Sequence, residues 1–141
     1  MLGKTIDDLK KRENYVLIPV DFSDYSVKAA LVGFDIAEKL ESKMVIYHSS
    51  PRPEFLTIPY SDVIVYDSAL FLNYEMTEKI TNQKFEEFLN KLTAAIEPER
   101  WQKAKPEYIV KVGEADDDIL SYIHIHPPKM IVMGIRGEDA K

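Results

Sequence analysis

Met133-Gly-Ile-Arg-Gly137 sets two glycines around an arginine directly after the apolar run Met130-Ile-Val-Met133. Glycines at the end of a buried strand bring bare backbone N–H groups up to an anion, because no Cβ stands in the way. Arg136 between them reads either as a phosphate ligand or as a solvent-facing cation. A second polar point follows the apolar run Tyr15-Val-Leu-Ile-Pro-Val20, where Asp21 stands as a hydrogen-bond acceptor at the strand's end. Asp21 equally suits a structural role, closing the turn through backbone hydrogen bonds, and Ser23 suits a helix cap.

The remaining polar clusters support little chemistry. His124-Ile-His126 has the residue types of a metal pair, but side chains two apart on a helix point about 200° away from each other. Asp116-Asp-Asp118 reads as a dipole-favoured helix start. His48 has no Ser or Cys motif beside it that would make it a catalytic base. A phosphoacceptor domain would need an Asp after the third strand, where Val112-Gly113 stands. A His-x-Gly-His nucleotidyltransferase is excluded by the His124–His126 spacing, and an ATP pyrophosphatase by the lack of glycine between Val20 and Ser26. No catalytic set is visible, so the sequence predicts a binding or regulatory protein rather than an enzyme.

The elements that must position these groups alternate along the chain. Tyr15–Val20 is a strand buried on both faces, followed by a helix from Ser23 or Asp24 to about Ser42 with Val27, Ala30, Leu31, Phe34, Ala37 and Leu40 on one stripe. Met44–His48 is a second strand, parallel to the first across the helical crossover. Residues 49–67, with three prolines, read as a loop in which Val63–Tyr66 stays open as strand or helical turn. A helix from about Ala69 to Ile96 buries Phe85, Phe88, Leu89, Leu92 and Ile96 and ends at Pro98. Glu107–Val112 is the third strand, and a helix starting between Glu114 and Asp118 buries Ile119, Leu120 and Ile123. Pro127-Pro128 stops it before the fourth strand, Met130–Met133. This β–α alternation selects an open, doubly wound α/β parallel sheet with helices on both faces.

Composition bounds the partners. A chain of 141 residues with 45% hydrophobic content suits one domain with a real core. A net charge of −6 and no basic stripe argue against nucleic acid as a partner. Zero cysteines exclude a disulfide framework and thiolate metal sites, and no run approaches the roughly 18 apolar residues of a membrane span. A cytoplasmic location follows as the expectation.

Tyr15-Val-Leu-Ile-Pro-Val-Asp-Phe-Ser-Asp-Tyr-Ser26, Met44-Val-Ile-Tyr-His-Ser49, the Val112-Gly113 turn with Ile119, and Met130-Ile-Val-Met-Gly-Ile-Arg-Gly137 together resemble the universal stress protein family. The resemblance spans about residues 14–137, leaving residues 1–13 as an extension and 14–141 as the domain. It implies a flavodoxin-like sheet of the adenine nucleotide alpha hydrolase type, order 3-2-1-4-5, whose fifth strand often mediates dimerisation. The ends of strands 1 and 4 would then frame the switch-point crevice where open α/β sheets bind ligands. By the same resemblance, Pro19, Val20 and Asp21 line the base and ribose of ATP or AMP. Ser49 stands where an aliphatic residue usually follows the strand 2 His, and Met133, Gly134, Arg136 and Gly137 begin the phosphate loop. Only the first half of the family's glycine segment is present, and the fifth strand is missing, so the order expected for this chain is 3-2-1-4. Glu138-Asp139 would repel a triphosphate unless a divalent cation such as Mg bridges them. The sequence therefore predicts weak nucleotide affinity, and self-association or pairing with a second like domain through the apolar edge of strand 4. The alternative function is a dimerisation or interaction module that binds no nucleotide.

Overall fold

The computed structural model describes residues 12–50, 63–112 and 118–135. Along them run β1 (Glu13–Pro19), α1 (Asp24–Lys39), β2 (Lys43–Ser50), α2 (Val63–Ala95), α3 (Pro98–Ala104), β3 (Glu107–Val112), α4 (Asp118–Ile125) and β4 (Pro128–Ile131). The strands form one sheet in the order β3-β2-β1-β4, and every neighbouring pair is parallel. The expected class and strand order are what the chain adopts. The Gly113 turn, the acidic stretch Glu114 to Asp117 and the segment 51–62 lie outside the described residues.

Continuous apolar runs make the two central strands because both faces are covered. Val16, Leu17 and Ile18 are all 0% exposed. Alternate residues serve opposite layers. Val16, Ile18, Val20, Met44 and Ile46 pack under Ala30, Phe34 and Ala37 of α1 and Phe88, Leu92 and Ile96 of α2. Tyr15, Leu17, Val45 and Tyr47 pack under Ile119, Tyr122 and Ile123 of α4. The Tyr15 hydroxyl donates to the His126 carbonyl, and burial, then the neighbouring Tyr122 and Glu13, push that hydroxyl well above the ordinary tyrosine range.

Several boundaries differ from those the sequence predicts. Helix α1 stops at Lys39, before Ser42, because Glu41 takes a left-handed φ of 52°. Ser42 N–H then bonds the Ala37 carbonyl at 2.9 Å and Glu41 N–H the Glu38 carbonyl at 3.2 Å, the paired bonds of a Schellman cap. Leu40 is consequently turned outward and is 42% exposed rather than completing the stripe. The open segment at Val63 is the start of α2. Pro98 does not simply end a helix: it occupies the start of α3, where its missing N–H is not needed. On α4 the inward positions are Ile119, Tyr122 and Ile123, each half-buried, and Leu120 is 66% exposed. Strand β4 begins at Pro128, earlier than predicted, and its ladder continues past Ile131 through the bond from Val132 N–H to the Leu17 carbonyl, 2.9 Å. Among the described residues, no helix is long and apolar enough to cross a membrane.

Candidate functional site

Three parallel strands end at one edge of the sheet. Pro19 pairs with Tyr47, and Leu17 with Ile131. Continuing both ladders sets Asp21 level with Ser49, and Pro19 level with Met133. The crossovers from β1 and into β4 lie on opposite faces, α1 on one and α4 on the other, so the chain parts at this edge and leaves a crevice between β1 and β4.

The β1–α1 turn is held by its own side chains. Asp21 Oδ1 accepts from Ser23 N–H at 3.0 Å, from the Ser23 hydroxyl at 2.5 Å and from the Ser26 hydroxyl at 2.7 Å. Asp21 N–H donates to Ser26 Oγ at 3.0 Å, and Ser23 Oγ caps α1 by accepting from Ser26 N–H at 3.2 Å. Between them Phe22 sits at a φ of 68°, a left-handed conformation that bulky residues rarely adopt. Its ring lies 4.1 Å from the His48 ring centroid and 5.7 Å from that of Phe88.

His48 ties this turn to α2. Its Nδ1 lies 2.7 Å from the Val20 carbonyl oxygen, which can only accept, so Nδ1 carries the hydrogen. Nε2 of the neutral ring then accepts from the Ser50 hydroxyl at 2.9 Å, and Ser50 Oγ lies 3.3 Å from Thr81 Oγ1. Ser50 and Thr81 are both buried. No Ser or Cys motif beside His48 marks it as a catalytic base in the sequence, yet it has a serine partner. One exists because β2 runs on through Ser50, which puts residues 48 and 50 on the same face.

The other predicted residues divide. Val20 is buried at 7% exposure, with Pro19 and Asp21 half-buried beside it. Ser49 lies inside β2, not after it, half-buried and alternating to the Tyr47 face. Met133 is 61% exposed at the crevice edge. Gly134 is seated against the first turn of α1: a Cβ there would meet Tyr25 Cβ at 3.1 Å and its backbone C and O at 3.2 Å. A side chain at this position is tight and needs the turn or Tyr25 to give by a few tenths of an ångström. Gly134→Val is expected to cost about 1–3 kcal/mol of stability by urea denaturation; an unchanged midpoint would show that the turn moves freely away from Tyr25. Arg136, Gly137 and Glu138-Asp139 lie outside the described residues.

The histidine pair is not a chelate. His124 is on the last turn of α4, whereas His126 Nδ1 pairs with Glu13 Oε2 at 2.8 Å. Among the described residues, no group of three His, Cys, Asp or Glu side chains could hold a metal ion.

An open parallel α/β sheet with a crevice at its switch point defines a doubly wound, flavodoxin-like domain. The sequence pattern of the universal stress protein family matches residues 14–141, and the chain belongs to that family. Among solved structures, universal stress protein UspA from Lactobacillus plantarum is 17% identical, with 92% of this chain and 81% of that one covered at a TM-score of 0.55. Hypothetical protein MJ0577 is 17% identical, with 91% and 79% covered at 0.54. A universal stress protein in complex with cAMP is 15% identical, with 86% and 71% covered at 0.49. Comparison with curated proteins gives no match.

Proposed function

We propose that the chain is a stress-response regulatory module, cytoplasmic, whose β1/β4 crevice takes an adenine nucleotide, AMP or ATP. The observation that carries this reading is the convergence of Pro19, Val20, Asp21, Ser49 and Met133 at one sheet edge, where the crossovers part. Met133 offers a flat base an apolar surface, and Ser49 offers a hydroxyl for the sugar. Their chemistry fits the base and ribose end of a nucleotide. Among the described residues the basic group that lines a cleft with Met133 and Gly134 is Lys28 of α1, so the phosphates would depend mainly on Arg136 and the backbone of Gly137, with Mg needed only for a polyphosphate.

The reading is one of binding without turnover. His48, the nearest candidate base, has one ring nitrogen on a backbone carbonyl and the other on a buried serine. Met133 is the position to test, since its exposure separates ligand contact from folding. Titration calorimetry with AMP and ATP is expected to show binding whose affinity falls about tenfold, roughly 1.4 kcal/mol, in Met133→Glu, with no change in thermal midpoint. Absence of binding by the unsubstituted chain would overturn the proposal.

A second reading, an interaction module without nucleotide, is favoured by the commitment of Asp21 Oδ1 to Ser23 and Ser26. Native mass spectrometry of the purified protein separates the two, since retained nucleotide excludes it.

A further inference from the structure

The solvent face of α1 carries Asp24, Lys28, Val32, Asp35 and Lys39, at steps of four, four, three and four residues. At about 100° per residue these fall within an arc of roughly 80°, one narrow stripe along the whole helix. All five are exposed, Val32 to 52%. Read along the helix the stripe is acid, base, apolar, acid, base. Read backwards it is base, acid, apolar, base, acid, which is its own electrostatic complement.

We propose that this face pairs with the same face of a second copy, antiparallel, about a two-fold axis at Val32. Lys28 then comes opposite the partner's Asp35, and Asp24 opposite the partner's Lys39, each contact occurring twice by symmetry. A parallel pair would set like charges against each other, so the pattern selects both the partner and its direction. Lys28 and Lys39 have no ion-pair partner among the described residues. Asp24 contacts Lys91 at 3.7 Å and Asp35 contacts Arg100 at 3.0 Å, yet the two side chains stay 89% and 61% exposed and keep an open side for another cation.

An apolar groove adjoins the stripe. Tyr25, Ala29 and Val32 of α1 face Val132, Met133 and Ile135 across a cleft of about 400 Å³. Met133 and Ile135 are 61% and 98% exposed. Among the described residues no carboxylate lines the cleft, and its one charged side chain is Lys28 of the stripe, in a chain whose net charge is −6. Two copies meeting here bury apolar surface without bringing acids together. Met133 borders both this groove and the proposed nucleotide crevice, so the pairing is tested on the charged stripe, without added nucleotide.

Sedimentation velocity over a concentration series tests it, using the unsubstituted chain, Lys28→Glu, Asp35→Lys and the double variant. The unsubstituted chain is expected to form a reversible dimer. Each single reversal turns two attractive contacts into repulsive ones and is expected to raise the dissociation constant about tenfold. The double variant exchanges the partners and restores dimerisation to within about threefold. If Asp35→Lys loses structure by repelling Arg100, the Asp24→Lys and Lys39→Asp swap poses the same question without touching Arg100. A strictly monomeric chain overturns the proposal, as does a dimer that the single reversals leave intact or the double variants fail to restore.

Discussion

Phe34→Ala is expected to remove about 3–5 kcal/mol of folding stability, within the range for deleting a fully buried aromatic ring. Phe34 is 1% exposed and belongs to the core cluster that also holds Val16, Ile18, Met44 and Ile46 of the sheet and Leu92 of α2. It also holds α3 in place. Trp101 stacks on its ring at 5.9 Å and 20°, and the Arg100 guanidinium sits 5.2 Å from its centroid. The same arginine forks onto Glu38 at 3.0 and 2.7 Å and reaches Asp35 at 3.0 Å. Those hydrogen bonds hold the Glu38 carboxyl below its usual range. Exposed ion pairs contribute little by themselves, so the buried ring dominates the attachment. A cavity of about 670 Å³, lined by Phe34, Ala37, Met44, Arg100 and Lys103, borders the ring. Water entering from it would soften the loss, which places the expectation in the lower half of the range. Trp101 is the only tryptophan, so its fluorescence during urea unfolding reads this contact directly. A loss below about 1 kcal/mol would mean that the ring is not the anchor its burial implies.

How legible each part was in the sequence follows from how locally its cause is written. β1 and β2 are readable as apolar runs because helices cover both their faces, and their β–α–β order dictates parallel pairing. The stripes on α1 and α2 are readable because each spans several turns. Helix α3 spans seven residues, too few for a period to emerge. Its one local signal was Pro98 itself, which serves a helix start as well as a helix end. The early start of β4 was hidden by Pro127-Pro128: a proline suits the first position of a strand at the sheet's edge, as at Pro128, and also suits a break. At the crevice, a polar residue after an apolar strand marked Asp21. That its Oδ1 is shared among Ser23 and Ser26 donors depends on the left-handed turn at Phe22, which no spacing announces. The His48–Ser50 contact follows from a period of two once β2 runs on to Ser50, but the apolar run that marks the strand in the sequence ends at His48.

Asp21→Ala is expected to destabilise the chain by about 2–4 kcal/mol, and Asp21→Asn by less than half as much. Alanine removes the acceptor of the Ser23 N–H and of both serine hydroxyls in a half-buried turn. The hydroxyls can turn toward water, but the backbone N–H is held in place by the helix start. The same staple keeps Phe22 left-handed, a conformation costing about 1–3 kcal/mol, so its loss also frees the ring from His48 and Phe88. Asparagine keeps a carbonyl oxygen in the Oδ1 position and preserves the staple while giving up its charge. The pair therefore separates two roles that a single substitution confounds. Lower nucleotide affinity in Asp21→Ala follows from a disordered turn whether or not the carboxylate touches ligand. Only Asp21→Asn isolates contact: a tenfold loss of affinity there, with an unchanged urea midpoint, assigns the carboxylate to the ligand, and unchanged affinity assigns it to the turn alone. Should Asp21→Ala unfold within about 0.5 kcal/mol of the unsubstituted chain, the staple does not shape the crevice, and the case for Asp21 as a structural residue falls.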